Sequence, residues 1–135
     1  MVKITGEYRG DLHCTATHGP SGAALATDAP RDNQGRGEAF SPTDLLATAL
    51  GTCIATTMAI VARKHGVELD GVRFEVTKDM SAELPRRVAR LTAEFWMPPA
   101  AKKVPDGVLK KAAEGCPVTR SLAPEVEVVL TFHGE

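Results

Sequence analysis

Apolar and polar residues alternate along both ends of this chain, and a long run without any charge lies between them. Val2, Ile4, Gly6 and Tyr8 interleave with Lys3, Thr5, Glu7 and Arg9, the pattern of a half-buried strand. Arg9-Gly10-Asp11 turns the chain, and Leu12, Cys14 and Ala16 continue an apolar face. Gly19-Pro20-Ser21-Gly22 marks a second turn, followed by a short strand around residues 23–27. Residues 28–37, DAPRDNQGRG, read as an irregular polar loop. Further on, Val72-Phe74-Val76 and Ala89-Leu91-Ala93-Phe95 alternate with polar partners on either side of Pro85, which suits an antiparallel hairpin with one wet face. Pro98-Pro99 ends it. A short helix over about 106–115 turns Val108, Leu109, Ala112 and Ala113 inward, and a last strand covers 126–132. Three strands, helix, two strands, helix, strand makes one α+β domain over residues 1–135.

The uncharged run is the centre of that scheme. Residues 41–66, SPTDLLATALGTCIATTMAIVARKHG, open with a capping residue, Ser41, then Pro42 at the first helical position and Asp44 completing an S-x-x-D box. They close on Lys64, His65 and Gly66: cations in the last turn, then a glycine past the end. Between Asp44 and Arg63 there is no charge, so the helix is expected to meet water on almost none of its circumference. A membrane span is the competing explanation. Thr48, Thr52, Thr56, Thr57 and Gly51 make the run too polar and too small for lipid, and no second span accompanies it. Ala47, Gly51, Ala55 and Ala59 recur at every fourth position and form a narrow groove, where close contact with a second helix is expected. Leu46, Leu50, Ile54 and Met58 form a bulky ridge beside it, expected to give Cys53 an apolar approach.

Composition narrows the function. A formal charge of −1 leaves no footprint for nucleic acid or anionic membrane, and six aromatics in 135 residues do not make a base-stacking surface. Three cysteines is an odd number with no C-x-x-C, and the N-terminus does not resemble a signal peptide. Free or redox-active thiols in a cytoplasmic protein are the natural expectation. No metal is expected, since His13, His18, His65 and His133 show no ligand spacing with the cysteines, and thiol chemistry needs no organic cofactor.

The three cysteines differ in setting. Cys14 sits on the inward side of its strand as a small core residue. Cys116 precedes Pro117 and a helical turn, VTRSL, which puts it at a helix N-terminus with Arg120 one turn on. Cys53 lies twelve residues past the start of the central helix. That is about 18 Å, too far for the helix dipole to help its thiolate. For Cys53 to act as a thiolate it would need a cation, and Arg36, Arg120 or Arg9 would supply it, with Arg36 preferred because its loop leads into the helix.

The run F-SPTDLLATALGTC followed by a long helix, with E-GCPVTRSL 63 residues beyond the first cysteine, resembles the OsmC/Ohr family of osmotically inducible and organic hydroperoxide resistance proteins. The likeness covers essentially the whole chain. It implies antiparallel sheets wrapped around a buried central helix, in an intertwined homodimer. It also implies a thiol-dependent peroxidase, with Cys53 as peroxidatic and Cys116 as resolving cysteine, acting on an organic hydroperoxide and reset by an external dithiol. The chain departs from the pattern at one place. Family peroxidases usually carry Glu ten residues before the first cysteine; here Thr43 stands there, with Asp44 one later. Two alternatives therefore accompany the peroxidase reading: a thiol redox or sensing protein of the same fold, and a non-catalytic dimer binding small apolar molecules.

Overall fold

Each alternating run forms a strand. In the computed structural model, which describes residues 1–134, the first three are β1 (Ile4–Gly10), β2 (His13–His18) and β3 (Ala24–Asp28). They make one antiparallel sheet in the order β1-β2-β3. β1 and β2 are joined by the two-residue turn Asp11-Leu12, with Gly10 opposite His13. Both turn residues have positive φ, 52° and 63°. That geometry matches the twist of a tight hairpin, but a leucine Cβ resists it by about 1–2 kcal/mol. The Leu12 N–H donates to Tyr8 Oη at 3.3 Å, which helps hold the turn.

The chain forms two compact units, Met1–Leu46 and Ala47–Glu135. In the first, the polar loop after β3 is ordered by a single buried carboxylate. Asp28 is 1% exposed, and its Oδ2 accepts from the backbone N–H groups of Arg36 (3.2 Å) and Glu38 (3.0 Å). Its own N–H donates to Phe40 O. Gly35 passes so close to the Ala29 carbonyl that an added Cβ would lie 1.7 Å from its oxygen, so only glycine fits. The unit ends on the expected capping box. Ser41 N–H donates to Asp44 Oδ2 (2.8 Å), and Asp44 N–H donates to Ser41 Oγ (3.0 Å).

The capped helix α1 runs over Pro42–Arg63. It is long and apolar enough to cross a membrane by length and composition. Its Leu50, Ile54, Met58 and Ala62 are nevertheless fully buried within the protein, as befits a core helix. β4 (Arg73–Met80) and β5 (Val88–Trp96) form the expected hairpin, and β6 (Glu127–His133) joins β5. That last pairing is parallel, so the second sheet is mixed. A parallel neighbour needs a crossover, and α2 (Val108–Glu114) with α3 (Pro117–Ser121) supplies it. Leu91, Ala93 and Phe95 of β5 are fully buried, and the Phe95 ring lies 5.8 Å from Phe74 and 5.5 Å from Phe132.

Two expectations for α1 are corrected. Its circumference is not dry in the chain described here: Thr52, Thr56, Ile60 and Arg63 are exposed along one stripe. The small-residue groove is also not free for a second helix at Gly51. A Cβ there would lie 2.6 Å from Phe74 Cε2 and 2.9 Å from Val76 Cγ2, so the glycine admits the chain's own strand β4.

Candidate functional site

All three cysteines are free thiols. Cys53 and Cys116 both lie in the second unit, in unlike surroundings. Cys53 is half-buried near the middle of α1, and Thr57 Oγ1 one turn along lies 3.9 Å from its sulfur. Cys116 is fully buried and caps α3, with Pro117 at the first helical position as the sequence predicts. Its sulfur accepts from Thr119 N–H at 3.4 Å, and the Thr119 hydroxyl lies 3.1 Å away. Gly115 caps the end of α2 and Cys116 the start of α3, so only these two residues separate the helices, which fixes where that sulfur sits. Cys14 is half-buried on β2, sharing its face with Ala16 and His18.

The supporting residues have definite partners. The Arg36 guanidinium pairs with Asp11 and reaches Glu38 Oε1 at 3.5 Å. Asp44 is a helix cap, and Thr43 Oγ1 lies 3.2 Å from Ser41 Oγ. Arg120 is exposed on α3 and donates its backbone N–H to Cys116 O at 3.1 Å. Arg9 pairs with Glu7 along β1 at 2.6 Å. The apolar approach assigned to Leu46, Leu50, Ile54 and Met58 is corrected: the last three are fully buried in the core and cannot meet a ligand, and only Leu46 is half-buried. An apolar groove of about 370 Å³ opens further along the same helix, lined by Ala55, Ala59, Ile60, Leu69 and Val72 with Thr56, Arg63 and Gly71.

One cluster escaped the sequence altogether. In the first unit His13 Nε2 lies 3.1 Å from Glu38 Oε1 and 3.5 Å from Asp28 Oδ2. His13 Nδ1 donates to Asp11 O at 2.6 Å, which fixes the tautomer because a carbonyl can only accept. The Asp11 carbonyl raises the His13 pKa, and the carboxylates of Asp28 and Glu38 add to it against the cost of burial. Asp28 is held below its ordinary value, chiefly by the Glu38 N–H, with His13 and the N–H groups of Arg36 and Ala29 contributing. The signal that could have found this cluster is strand register. A hairpin centred on Pro20-Ser21 sets His13 opposite Asp28, as observed.

The family model for OsmC-like proteins matches residues 35–131 of this chain, which takes in both cysteine contexts. The chain is a member of the OsmC-like family. A solved structure of a candidate osmotic stress-induced and detoxification response protein from Psychrobacter arcticus is 40% identical, with a TM-score of 0.85. The match covers 98% of this chain and 94% of that one. An organic hydroperoxide resistance protein OsmC from Legionella pneumophila superposes with a TM-score of 0.75 at 18% identity, covering 98% and 96%. A candidate organic hydroperoxide resistance protein from Vibrio cholerae, with captopril in one of its active sites, gives 0.77 at 16% identity, covering 100% and 92%. The latter two share the fold with this OsmC-like chain. No curated protein matches it.

Proposed function

We propose that this OsmC-like protein is a cytoplasmic thiol-dependent peroxidase that reduces organic hydroperoxides through Cys53 and Cys116. The observation that carries the reading is the contrast between the two thiols. Cys53 is half-exposed on the uncharged stretch of α1 between Asp44 and Arg63, where a small molecule can reach it. Cys116 is fully buried and held by Thr119, sheltered from direct oxidation. The names of the Legionella and Vibrio relatives point the same way.

The Cys53 thiolate attacks the terminal oxygen of the hydroperoxide, the O–O bond breaks, and the leaving alkoxide takes a proton to become an alcohol. The Cys53 sulfenic acid then condenses with the Cys116 thiol, forming a disulfide and releasing water. An external dithiol reduces that disulfide by two exchanges, becoming oxidised itself and restoring both thiols. Arg120, which lies with both cysteines in the second unit, is assigned the cation for the thiolate, whereas Arg36 is engaged by Asp11 and Glu38.

The working form is a homodimer. Ile4, Tyr8 and Leu25 of the first sheet are 59%, 62% and 45% exposed in the single chain, an apolar display that a second copy would cover. A second reading, a binder of small apolar molecules, draws on the groove beside Ala55 and Ala59. Peroxide consumption with dihydrolipoamide decides between them. Wild type should consume cumene hydroperoxide, Cys53→Ser should fall to the uncatalysed rate, and Cys116→Ser should stop after one turnover. An inactive wild type overturns the peroxidase and leaves the binder.

A further inference from the structure

We propose that His13, Asp28 and Glu38 form a binding site for a divalent cation of the zinc type, one imidazole nitrogen and two carboxylates serving as ligands. The three residues come from β2, the end of β3 and the loop that follows, all within the first unit. One ligand atom from each lies within 4.8 Å of the others.

The geometry suits a metal. Tetrahedral ligands at about 2.0–2.1 Å from zinc stand about 3.3 Å from one another. Here His13 Nε2 stands 3.1 Å from Glu38 Oε1 and 3.5 Å from Asp28 Oδ2. The imidazole is already oriented, since Nδ1–H donates to Asp11 O and turns the Nε2 lone pair toward both carboxylates. Metal-bound histidines are commonly fixed in this way by a carbonyl on the other nitrogen.

Asp28 is the independent sign. Its side chain is fully buried, and Oδ1 has no hydrogen-bond partner. A buried carboxylate oxygen without a partner is costly, and buried charges are either paired or bound to metal. A proton shared between Nε2 and one carboxylate oxygen would satisfy His13 and leave Oδ1 bare. A cation held by both oxygens of Asp28 would satisfy Oδ1 and the imidazole together. Three protein ligands also leave at least one coordination position for water. The Arg36 guanidinium, 3.5 Å from Glu38 Oε1, opposes the cation and competes for that oxygen.

The site is tested on the full chain after chelation and dialysis, with Co²⁺ as spectroscopic probe and Zn²⁺ titrated calorimetrically. One cation should bind per chain, giving a visible ligand-field spectrum without the near-ultraviolet band of thiolate–cobalt bonds. His13→Ala should weaken binding at least a hundredfold and Glu38→Gln at least tenfold. Arg36→Ala should tighten it, a response that a general loss of folding would not give. His13→Gln, closer in size and hydrogen bonding, guards against a folding defect and should lose the spectrum too. A thiolate band, unchanged affinity in both His13 variants, or no binding by the wild type at millimolar cation would each overturn the assignment.

Discussion

Gly51 illustrates how one atom decides a helix's neighbours. With no Cβ, it lets the Phe74 ring and Val76 approach α1 closely; any side chain would meet them at under 3 Å. Phe74 cannot simply turn away, because its ring packs at 5.8 Å from the fully buried Phe95. Gly51→Ala is therefore expected to destabilise the fold by about 1–3 kcal/mol, as overpacking does, despite alanine's better helix propensity. Urea denaturation measures it, and a stabilised variant would refute the packing described here. His13 gives a second prediction at this scale, for chelated protein. Its raised pKa means its stabilising contribution is complete below 6.5 and is lost as pH climbs through the higher folded value. Asp28 runs the other way, contributing fully above 3.8 and losing its contribution as pH falls through its lowered value. The groups facing His13 are the Asp11 carbonyl, Asp28 and Glu38, with Arg36 beyond them. The difference in urea midpoint between wild type and His13→Gln should thus shrink from pH 6 to pH 9. A constant difference would mean that no imidazolium pairing contributes.

Elements were legible in the sequence where local chemistry dictates them. The box at Ser41 and Asp44, the proline at position 42 and the glycine past the last turn mark α1 to within a few residues. Ser41→Ala and Asp44→Ala should each cost about 1 kcal/mol, and the double variant less than their sum, because each side chain satisfies the other's backbone N–H. Full additivity in thermal denaturation would contradict reciprocal capping. The strands were equally readable from their alternation. Pairing was not: alternation says which side of β6 is wet, but nothing about whether its neighbour runs parallel. Helix faces failed for a related reason. The spacing of Ala47, Gly51, Ala55 and Ala59 states that a face is narrow, whereas what fills it depends on β4, more than twenty residues away. The candidate thiols were visible because Cys116-Pro117 is a local capping signal. The cluster of His13, Asp28 and Glu38 was hidden because its members are joined only by register and by a loop.

For the whole molecule, the exposed apolar residues of the first sheet carry the clearest expectation. A free monomer would leave Ile4, Tyr8 and Leu25 in water, together with Ile60 on α1, itself 55% exposed. Sedimentation at micromolar concentration should give a dimer. Tyr8→Glu, which places a charge on that sheet without touching either proposed redox cysteine, should shift it toward monomer at least tenfold in dissociation constant. A wild-type monomer that stays folded and soluble would remove the homodimer from the proposed function.

The parallel pairing of β6 reaches into how the chain acquires its shape. β4 and β5 can zip together through their own turn, but β5 meets β6 only after about thirty intervening residues have been made and folded into α2 and α3. During synthesis, then, the central strand of the second sheet emerges from the ribosome with one edge bare, displaying the backbone of a segment whose Leu91, Ala93 and Phe95 end up fully buried. β6 closes that edge. A nascent or truncated product ending before Glu127 offers a ready template for misassociation, which the seven residues of β6 remove by pairing.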